Sequence, residues 1–196
     1  MEPYKIRFLA AATAVMAGMC ACSSAFGADA GPIKIGVAVG LSAANSVVAP
    51  AVVQSSQLAV DEINAAGGIL GRKVELDIAD DASDAVGAQK AYDKLVFKDN
   101  VDAIISMETS AARNAALPIV ARGKKPFIYT SFYEGRSCNR WMYVNGWVPD
   151  QQVAPVVDYF MKSKGAKTFY LVGNDYAFGR GMLDFTAKYI AAHGGK

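Results

Sequence analysis

The sequence has 196 residues, of which 53% are hydrophobic and 19% charged, and its formal net charge is +2. This composition excludes a disordered or collagen-like chain and provides apolar material for one or two hydrophobic cores. Twenty Lys and Arg against 18 Asp and Glu make no dense basic face, so we expect no nucleic acid partner. One histidine and three cysteines are too few for a zinc site built on His and Cys clusters, and we expect neither a metal nor a cofactor.

The first 30 residues have the pattern of a signal peptide. Lys5 and Arg7 precede an apolar run from Phe8 to Met19, and Ala28-Asp29-Ala30 offers an A-x-A cleavage site. Because this run is shorter than the roughly 20 residues that span a bilayer, we expect export and cleavage. Cys22 leaves lipoprotein anchoring as the less favoured alternative.

From residue 31 onward, segments typical of strands alternate with segments typical of helices. Strands are predicted at 33–39, 73–78, 101–107 and 126–129, and helices at about 52–66, 83–98 and 110–122. Strands that alternate with helices form right-handed βαβ units and a parallel sheet covered on both faces. The sequence therefore predicts an α/β domain with a doubly wound parallel sheet, which we call lobe one, over residues 31–140.

The alternation breaks after Tyr133. A short extended piece at 141–144 predicts a crossover or hinge at 141–149. Residues 150–196 then restart with a helix at 151–164, a strand at 168–172 and a helix at 181–193. We interpret 150–196 as the start of a second α/β lobe, called lobe two. A single strand has no sheet partner for its backbone groups, so we expect lobe two to be incomplete and the chain to be part of a longer protein.

Candidate ligand-binding residues follow from the predicted sheet. Ligands of an open parallel sheet bind beyond the carboxyl ends of its strands, where helix N-termini present free N–H groups. Ser110 begins the third predicted helix, so its hydroxyl and the first N–H groups are candidates for holding an anion or a carbonyl oxygen; an ordinary N-cap is the alternative. Tyr129, Ser131, Tyr133 and Tyr176 are candidates for the same crevice, with hinge packing as the alternative for the aromatic residues.

Residues suited to catalysis are few. His193 is placed at the end of the last helix, where it interacts with the helix dipole, and no second histidine exists to complete a Ser-His-Asp triad. Asp80 and Asp81 admit an acid–base pair or a metal site, although adjacent carboxylates at a strand end more often cap a helix or face water. Cys138, the one cysteine left after cleavage, is expected to be buried and free or paired with a partner outside this sequence. We expect a binding protein and not an enzyme.

One segment identifies a resemblance. LAVDEINAAGGILGRK at residues 58–73 resembles the periplasmic solute-binding proteins of branched-chain amino acid ABC transporters. The Asp80-Asp81 strand end and GNDYAFG at 173–179 agree with this family, and the resemblance runs from about residue 33 to the end of the sequence. Within the family, Tyr133-Glu134-Gly135 and the PDQQ segment at 149–152 resemble the amide-binding and urea-binding branch more than the leucine-binding one.

The resemblance implies a type I periplasmic binding fold, in which two lobes trap a small solute. It implies a periplasmic subunit that captures an amino acid of branched-chain type, or a short amide or urea, for an ABC permease in the inner membrane. The implied site positions are Ser110 at the start of the third helix, Tyr129 and Ser131 after the fourth strand, and Tyr176 or Phe178 from lobe two.

Two features leave alternatives open. The first predicted loop reads LSAANS at 41–46, where many family members read L-S/T-G-P, so its ligand contacts differ from the family pattern. A ligand-sensing receptor lobe of the same fold is the second function to consider, and the signal peptide favours transport over it. A secreted hydrolase is the third, and it would need Ser110 or Cys138 as nucleophile without a visible base.

Overall fold

The computed structural model describes residues 31–196, so the predicted signal peptide and Cys22 lie outside the described residues. Five strands form one parallel sheet in the order β2-β1-β3-β4-β5. They are β1 (Ile33–Val39), β2 (Val74–Asp80), β3 (Ala103–Met107), β4 (Phe127–Tyr129) and β5 (Met142–Val144). The predicted strands of lobe one are all present, and the extended piece predicted at 141–144 is the edge strand β5.

Three helices connect the strands of this sheet: α1 (Ala49–Ala65), α2 (Ala85–Asp93) and α3 (Ser110–Gly123), with α2 continued by a π-helical turn at Lys94–Lys98. Residues alternate between the two faces of β1. Val37 and Val39 pack with the start of α1, whereas Ala38 belongs to the larger core that α2 and α3 cover on the opposite face. Helices on both faces confirm the predicted doubly wound architecture.

The order of the strands fixes where a site can form. The chain builds outward from β1 to β2, then returns to place β3 on the other side of β1. Connections therefore leave β1 and β3 in opposite directions and open a crevice beyond their carboxyl ends. Val39 and Met107, the last residues of β1 and β3, are paired in register at this point.

After β5 the chain forms α4 (Pro149–Gln152), α5 (Ala154–Asp158), a π-helical turn at Tyr159–Ser163, and α6 (Ala177–Ala192). The single helix predicted at 151–164 is interrupted at Val153. The physical reason is Pro155, which has no N–H to donate to the preceding turn. α6 begins four residues before the predicted start at 181, because Gly179 and Gly181 stay helical despite their low propensity.

The strand predicted at 168–172 is not assigned as a strand in the structure. Its backbone is tied to Lys196 by two hydrogen bonds: the Phe169 N–H donates to the Lys196 oxygen at 2.7 Å, and the Lys196 N–H donates to the Lys167 oxygen at 2.8 Å. These two bonds flank Thr168 in the pattern of a parallel ladder. Tyr170 beside them is 94% exposed. The prediction was wrong because a hydrophobic run needs a neighbouring strand before it can form a ladder.

Candidate ligand-binding cleft

A cavity of about 590 Å³ lies beyond the carboxyl ends of the strands. Its walls come from the loops after β1, β2, β3 and β4 and from the segment that leads into α6. The lining residues are Ala44, Asn45, Ser83, Asp84, Ala85, Met107, Glu108, Thr109, Ser110, Ala111, Tyr129, Ser131, Phe132, Asn174, Tyr176 and Phe178. This lining, taken over residues 31–196, contains no lysine, arginine or histidine, and its charged residue types are both acids.

Five of the six predicted ligand-binding residues meet at this cavity: Ser110, Tyr129, Ser131, Tyr176 and Phe178. Tyr133 does not line it. The Tyr133 side chain is 7% exposed and packs in the core against the ring of Tyr129, with centroids 6.0 Å apart. Its loop turns back toward the sheet because the Tyr133 N–H donates to the Trp147 oxygen at 3.0 Å.

The start of α3 presents backbone donors to the cavity. Thr109, and not Ser110, is the N-cap residue, since its hydroxyl oxygen accepts the Ala112 N–H at 3.2 Å. The N–H groups of Ser110 and Ala111 belong to the first turn, where no carbonyl of the helix can accept them. Both residues line the cavity, so two backbone donors and the positive end of the helix dipole face the space where a ligand would lie.

Behind this helix start, the Ser110 hydroxyl is held by an ion pair. The hydroxyl donates to Glu134 Oε2 at 2.6 Å, and Arg113 Nη2 donates to Glu134 Oε1 at 2.8 Å. Arg113 is 1% exposed at its side chain and lies over the rings of Tyr129 and Tyr133, at 5.1 and 4.9 Å from their centroids. The role of Tyr133 visible here is therefore to support Arg113.

The charge state of Glu134 follows from these contacts. Burial raises the pKa of the Glu134 carboxyl, but the hydrogen bonds from Arg113 and Ser110 outweigh burial and hold the pKa below its usual range. Glu134 is therefore ionised and can only accept hydrogen bonds. It neutralises Arg113, which leaves this wall of the cleft without net charge.

A second polar cluster lies under the cavity floor. Asp81, Ser106, Glu108 and Tyr92 are all buried, and the Tyr92 hydroxyl donates to Glu108 Oε1 at 2.9 Å. Asp81 Oδ2, Ser106 Oγ and Glu108 Oε2 have no hydrogen-bond partner among the described residues. Burial, followed by the charge of Asp81, raises the pKa of Glu108 well above its usual range, which favours the neutral acid.

Asp80 and Asp81 organise the loops and do not cap α2. Asp80 accepts hydrogen bonds from the Ala82 N–H and the Ser42 hydroxyl, each at 2.8 Å. The N-cap of α2 is Asp84, whose carboxylate accepts the Gly87 N–H at 2.7 Å. Among residues 31–196, no three or more His, Cys, Asp and Glu side chains are grouped so as to hold a metal ion.

The loop after β1 reaches the cavity although it departs from the family pattern. Ser83 Oγ accepts the Asn45 N–H at 2.9 Å and donates to the Ser42 oxygen at 3.1 Å, so the loops after β1 and β2 are joined. Ser83 and Ala82 both have left-handed backbones, with φ of 58° and 51°. Such conformations cost energy in residues other than glycine, and they occur preferentially at functional sites.

The segment that leads into α6 meets the loop after β4 through aromatic side chains and through Gly181. Phe178 packs edge to face on Phe132 with centroids 5.3 Å apart, and Tyr176 lies 5.9 Å from Phe178. Gly181 in the first turns of α6 sits directly against Glu134, since a Cβ atom at Gly181 would lie 2.7 Å from Glu134 Cβ and Cγ. The start of α6 therefore rests on the loop after β4.

Neither His193 nor Cys138 lines the cavity. His193 ends α6, where its exposed ring stacks on Tyr189 at 4.1 Å and its Nδ1 lies 2.7 Å from the Tyr189 oxygen. Cys138 is exposed and unpaired within the described part of the chain, so the first of its two expected states, a buried free thiol, was wrong, and pairing with a partner outside this sequence stays a prediction. The carboxylate that accepts the Ser110 hydrogen, Glu134, lies behind the lining and is already paired with Arg113.

Sequence reasoning missed Arg113 as part of the site. Arg113 lies three residues after Ser110, a spacing that puts two side chains on one face of a helix, and this is the signal from which it was identifiable. Thr109, Phe132 and Asn174 were also missed. Thr109 could have been predicted as an N-cap from the sequence. Asn174 reaches the cavity only through the placement of α6.

The described residues contain no helix both long and apolar enough to cross a bilayer. The described residues combine a parallel α/β sheet, a helix start that faces a crevice and a second segment that lies over this crevice. A family model described as periplasmic binding protein matches residues 32–196, and the chain belongs to that family. This confirms the predicted family and the type I periplasmic binding fold.

Among similar proteins, the Leu/Ile/Val-binding protein BraC3 of Rhizobium johnstonii is 29% identical over 173 residues, covering 83% of this chain and 45% of that protein. A leucine-binding protein LivK of Thermotoga maritima has a similar structure, with a TM-score of 0.74 and 24% identity over 83% of this chain and 47% of that one. A solute-binding protein of an ABC transporter from Rhodopseudomonas palustris, in complex with 3,4-dihydroxybenzoic acid, has a TM-score of 0.70 at 19% identity, over 84% and 45% of the two chains.

The chain thus spans about half the length of these proteins. They are solute-binding proteins and not enzymes, in agreement with the expectation from the sequence.

Proposed function

We propose that this chain forms the ligand-capturing part of a periplasmic solute-binding subunit of an ABC importer. The observation that carries the proposal is the cavity of about 590 Å³, whose walls come from both the sheet domain and the start of α6. A solute in this position contacts both parts of the chain at once. We propose that the chain divides into three parts: lobe one at 31–140, a crossover at 141–149 and the start of lobe two at 150–196.

The lining favours a small polar solute. Free N–H groups of Ser110 and Ala111 supply donors on one side, and the rings of Tyr129, Tyr176 and Phe178 supply apolar surface on the others. The cargo we propose is an amino acid of branched-chain type or a short amide or urea. BraC3, named as a Leu/Ile/Val-binding protein, supports the first of these.

From the same proposed role we infer that the protein is exported to the periplasm and delivers its solute to a permease. The family is named for periplasmic binding, and the A-x-A site at Ala28-Asp29-Ala30 provides a means of reaching that compartment. The partner proposed is an ABC permease of the inner membrane. The contact residues proposed are Ser110, Tyr129, Ser131, Tyr176 and Phe178, with Tyr133 supporting Arg113 from the core.

The proposal is tested by titration calorimetry of the full-length protein against leucine, isoleucine, valine, acetamide and urea. We expect saturable binding of at least one of them with one ligand per chain, and the ligand recovered unchanged afterwards. Failure to bind any of the five, or hydrolysis of acetamide during the titration, would contradict the proposed function.

A further inference from the structure

The contacts of Ser110 determine which way its hydroxyl hydrogen points. Glu134 is ionised and can only accept, and its Oε2 lies 2.6 Å from Ser110 Oγ, so the single hydrogen of Ser110 lies between these two oxygens. The nearby Tyr129 hydroxyl donates its own hydrogen to the Glu108 carbonyl oxygen at 3.0 Å. It is therefore not a donor toward Ser110.

The remaining capacity of Ser110 Oγ is as an acceptor. Of its two lone pairs, one receives a long hydrogen bond of 3.4 Å from Arg113 Nη1. Ser110 is 2% exposed and lines the cavity, so a ligand group that reaches this oxygen meets a hydroxyl whose hydrogen is already directed at Glu134.

We propose that Glu134 is a specificity-determining residue that acts through Ser110. By taking the Ser110 hydrogen, it makes the hydroxyl an acceptor toward the cavity and selects a ligand that places an N–H group there. This inference rests on the proposed function and adds to it the polarity of one contact. A ligand carboxylate oxygen at Ser110 Oγ would set lone pair against lone pair, so carboxylates are disfavoured at this position.

The cavity chemistry agrees with this polarity. The lining carries no cationic side chain over residues 31–196, and Arg113, which contacts Ser110 from behind the lining, is already paired with Glu134. An uncharged carboxamide or urea group carries both an N–H donor and a carbonyl acceptor, so it matches the acceptor and the donors of this wall. Its N–H meets Ser110 Oγ, and its carbonyl oxygen accepts from the free N–H groups at the start of α3.

Glu134→Gln reverses the polarity without changing the size of the side chain. Arg113 Nη2 can only donate, so it holds the oxygen of the new amide in the position of Oε1. The amide nitrogen then faces Ser110 Oγ and donates to it, which releases the Ser110 hydrogen toward the cavity. The matched control is Glu75→Gln, which makes the same change of charge on an exposed residue at the far end of β2 from the cavity.

The experiment compares two ligand pairs, acetamide with acetate and leucinamide with leucine, by calorimetry on the full-length protein and both variants. In a pair that binds, we expect wild type to prefer the amide and Glu134→Gln to lower the amide-to-carboxylate affinity ratio about tenfold. Glu75→Gln should leave that ratio within about twofold of wild type. If Glu134 only supported the fold, Glu134→Gln would weaken the binding of the amide and of the carboxylate in a pair equally.

A ratio unchanged in Glu134→Gln with binding retained, or changed equally by both variants, overturns the inference and leaves the proposed function intact. Wild type that binds none of the four probes or the five solutes contradicts the proposed function. Neutron diffraction on the perdeuterated full-length protein shows the direction of the Ser110 hydroxyl hydrogen without any ligand. The inference therefore stays testable even if Glu134→Gln binds none of the probes. A deuterium on Ser110 Oγ that points to Glu134 supports the inference, and one that points into the cavity overturns it.

Discussion

Burial makes the protonation state of Glu108 part of the stability of the fold. Its raised pKa means that the folded state binds this proton more tightly than the unfolded state does. The stability from this group is therefore fully present below the pKa of an unfolded glutamate, about 4.3, and is lost as the pH rises toward the folded pKa.

Replacing Glu108 by Gln should remove this loss. The Gln oxygen can still accept from the Tyr92 hydroxyl, and the Gln side chain has no proton to lose as the pH rises. We expect Glu108→Gln to gain stability relative to wild type between pH 5 and pH 8, measured as the free energy of unfolding in urea. Glu75→Gln, an exposed change, should follow wild type at both pH values. Parallel pH profiles for Glu108→Gln and wild type would show that Glu108 is not neutral in the folded state.

Ser110→Ala tests whether the start of α3 binds the ligand. The change deprives an entering ligand of an acceptor and also leaves Glu134 without one donor. We expect ligand affinity to fall by about 1–3 kcal/mol, measured by calorimetry with whichever solute binds wild type. Ser55→Ala is the control, since the exposed Ser55 hydroxyl bonds only to the Val52 oxygen of its own helix. Equal affinity for Ser110→Ala and wild type would remove Ser110 from the site.

At the scale of residues, the sequence allowed the members of the site to be predicted better than their roles. Ser110 and Tyr129 were correctly placed at the cavity because they lie just beyond, or at, the carboxyl ends of predictable strands. The direction of the Ser110 hydrogen depends on Glu134, 24 residues away, and no local pattern reports that contact. Tyr133 was misplaced for the same reason, because its burial depends on its packing against Tyr129 and Arg113.

At the scale of elements, β1 was predicted at its observed bounds because a β-branched run between Pro32 and Gly40 has local limits. The segment at 168–172 is also a hydrophobic run, but residues 31–196 provide no partner strand for it. The break between α4 and α5 was missed even though Pro155 was visible in the sequence. Local signals therefore predicted the elements of the sheet, and a local signal, Pro155, also marked the helix break, whereas strand pairing at 168–172 depends on contacts beyond the segment.

The contact between Gly181 and Glu134 predicts how α6 contributes to binding. A Cβ atom at residue 181 would lie 2.7 Å from Glu134 Cβ and Cγ, and Glu134 cannot retreat without breaking its bonds to Ser110 and Arg113. Gly181→Ala should weaken ligand binding by about 1–3 kcal/mol through this overpacking. The intrinsic helix preference of Ala stabilises the folded helix by about 1 kcal/mol and does not act on ligand affinity.

Calorimetry on Gly181→Ala measures the change in affinity, and Gly31→Ala is the control because open space surrounds Gly31. Binding as tight as wild type in Gly181→Ala would mean that α6 does not rest on Glu134 in the ligand-bound protein.

At the scale of the whole molecule, the two parts of the chain differ in backbone support. β1 lies inside the sheet and pairs with both β2 and β3, whereas 168–172 is linked only through Phe169 and Lys196 among the described contacts. In a monomer of the 196-residue chain, hydrogen exchange should be slow at 33–39 and fast at 170–172. Protection of 170–172 as strong as that of β1 would show that this segment has a strand partner that the structure does not contain.

We propose that one solute is held between the start of α3 and the segment leading into α6. A crystal structure of the full-length protein with the solute that calorimetry identifies tests this proposal. We expect the solute in the cavity, bonded to the Ser110 and Ala111 N–H groups on one side and in contact with Tyr176 or Phe178 on the other. A solute bound elsewhere, or touching only one of these two walls, would contradict it.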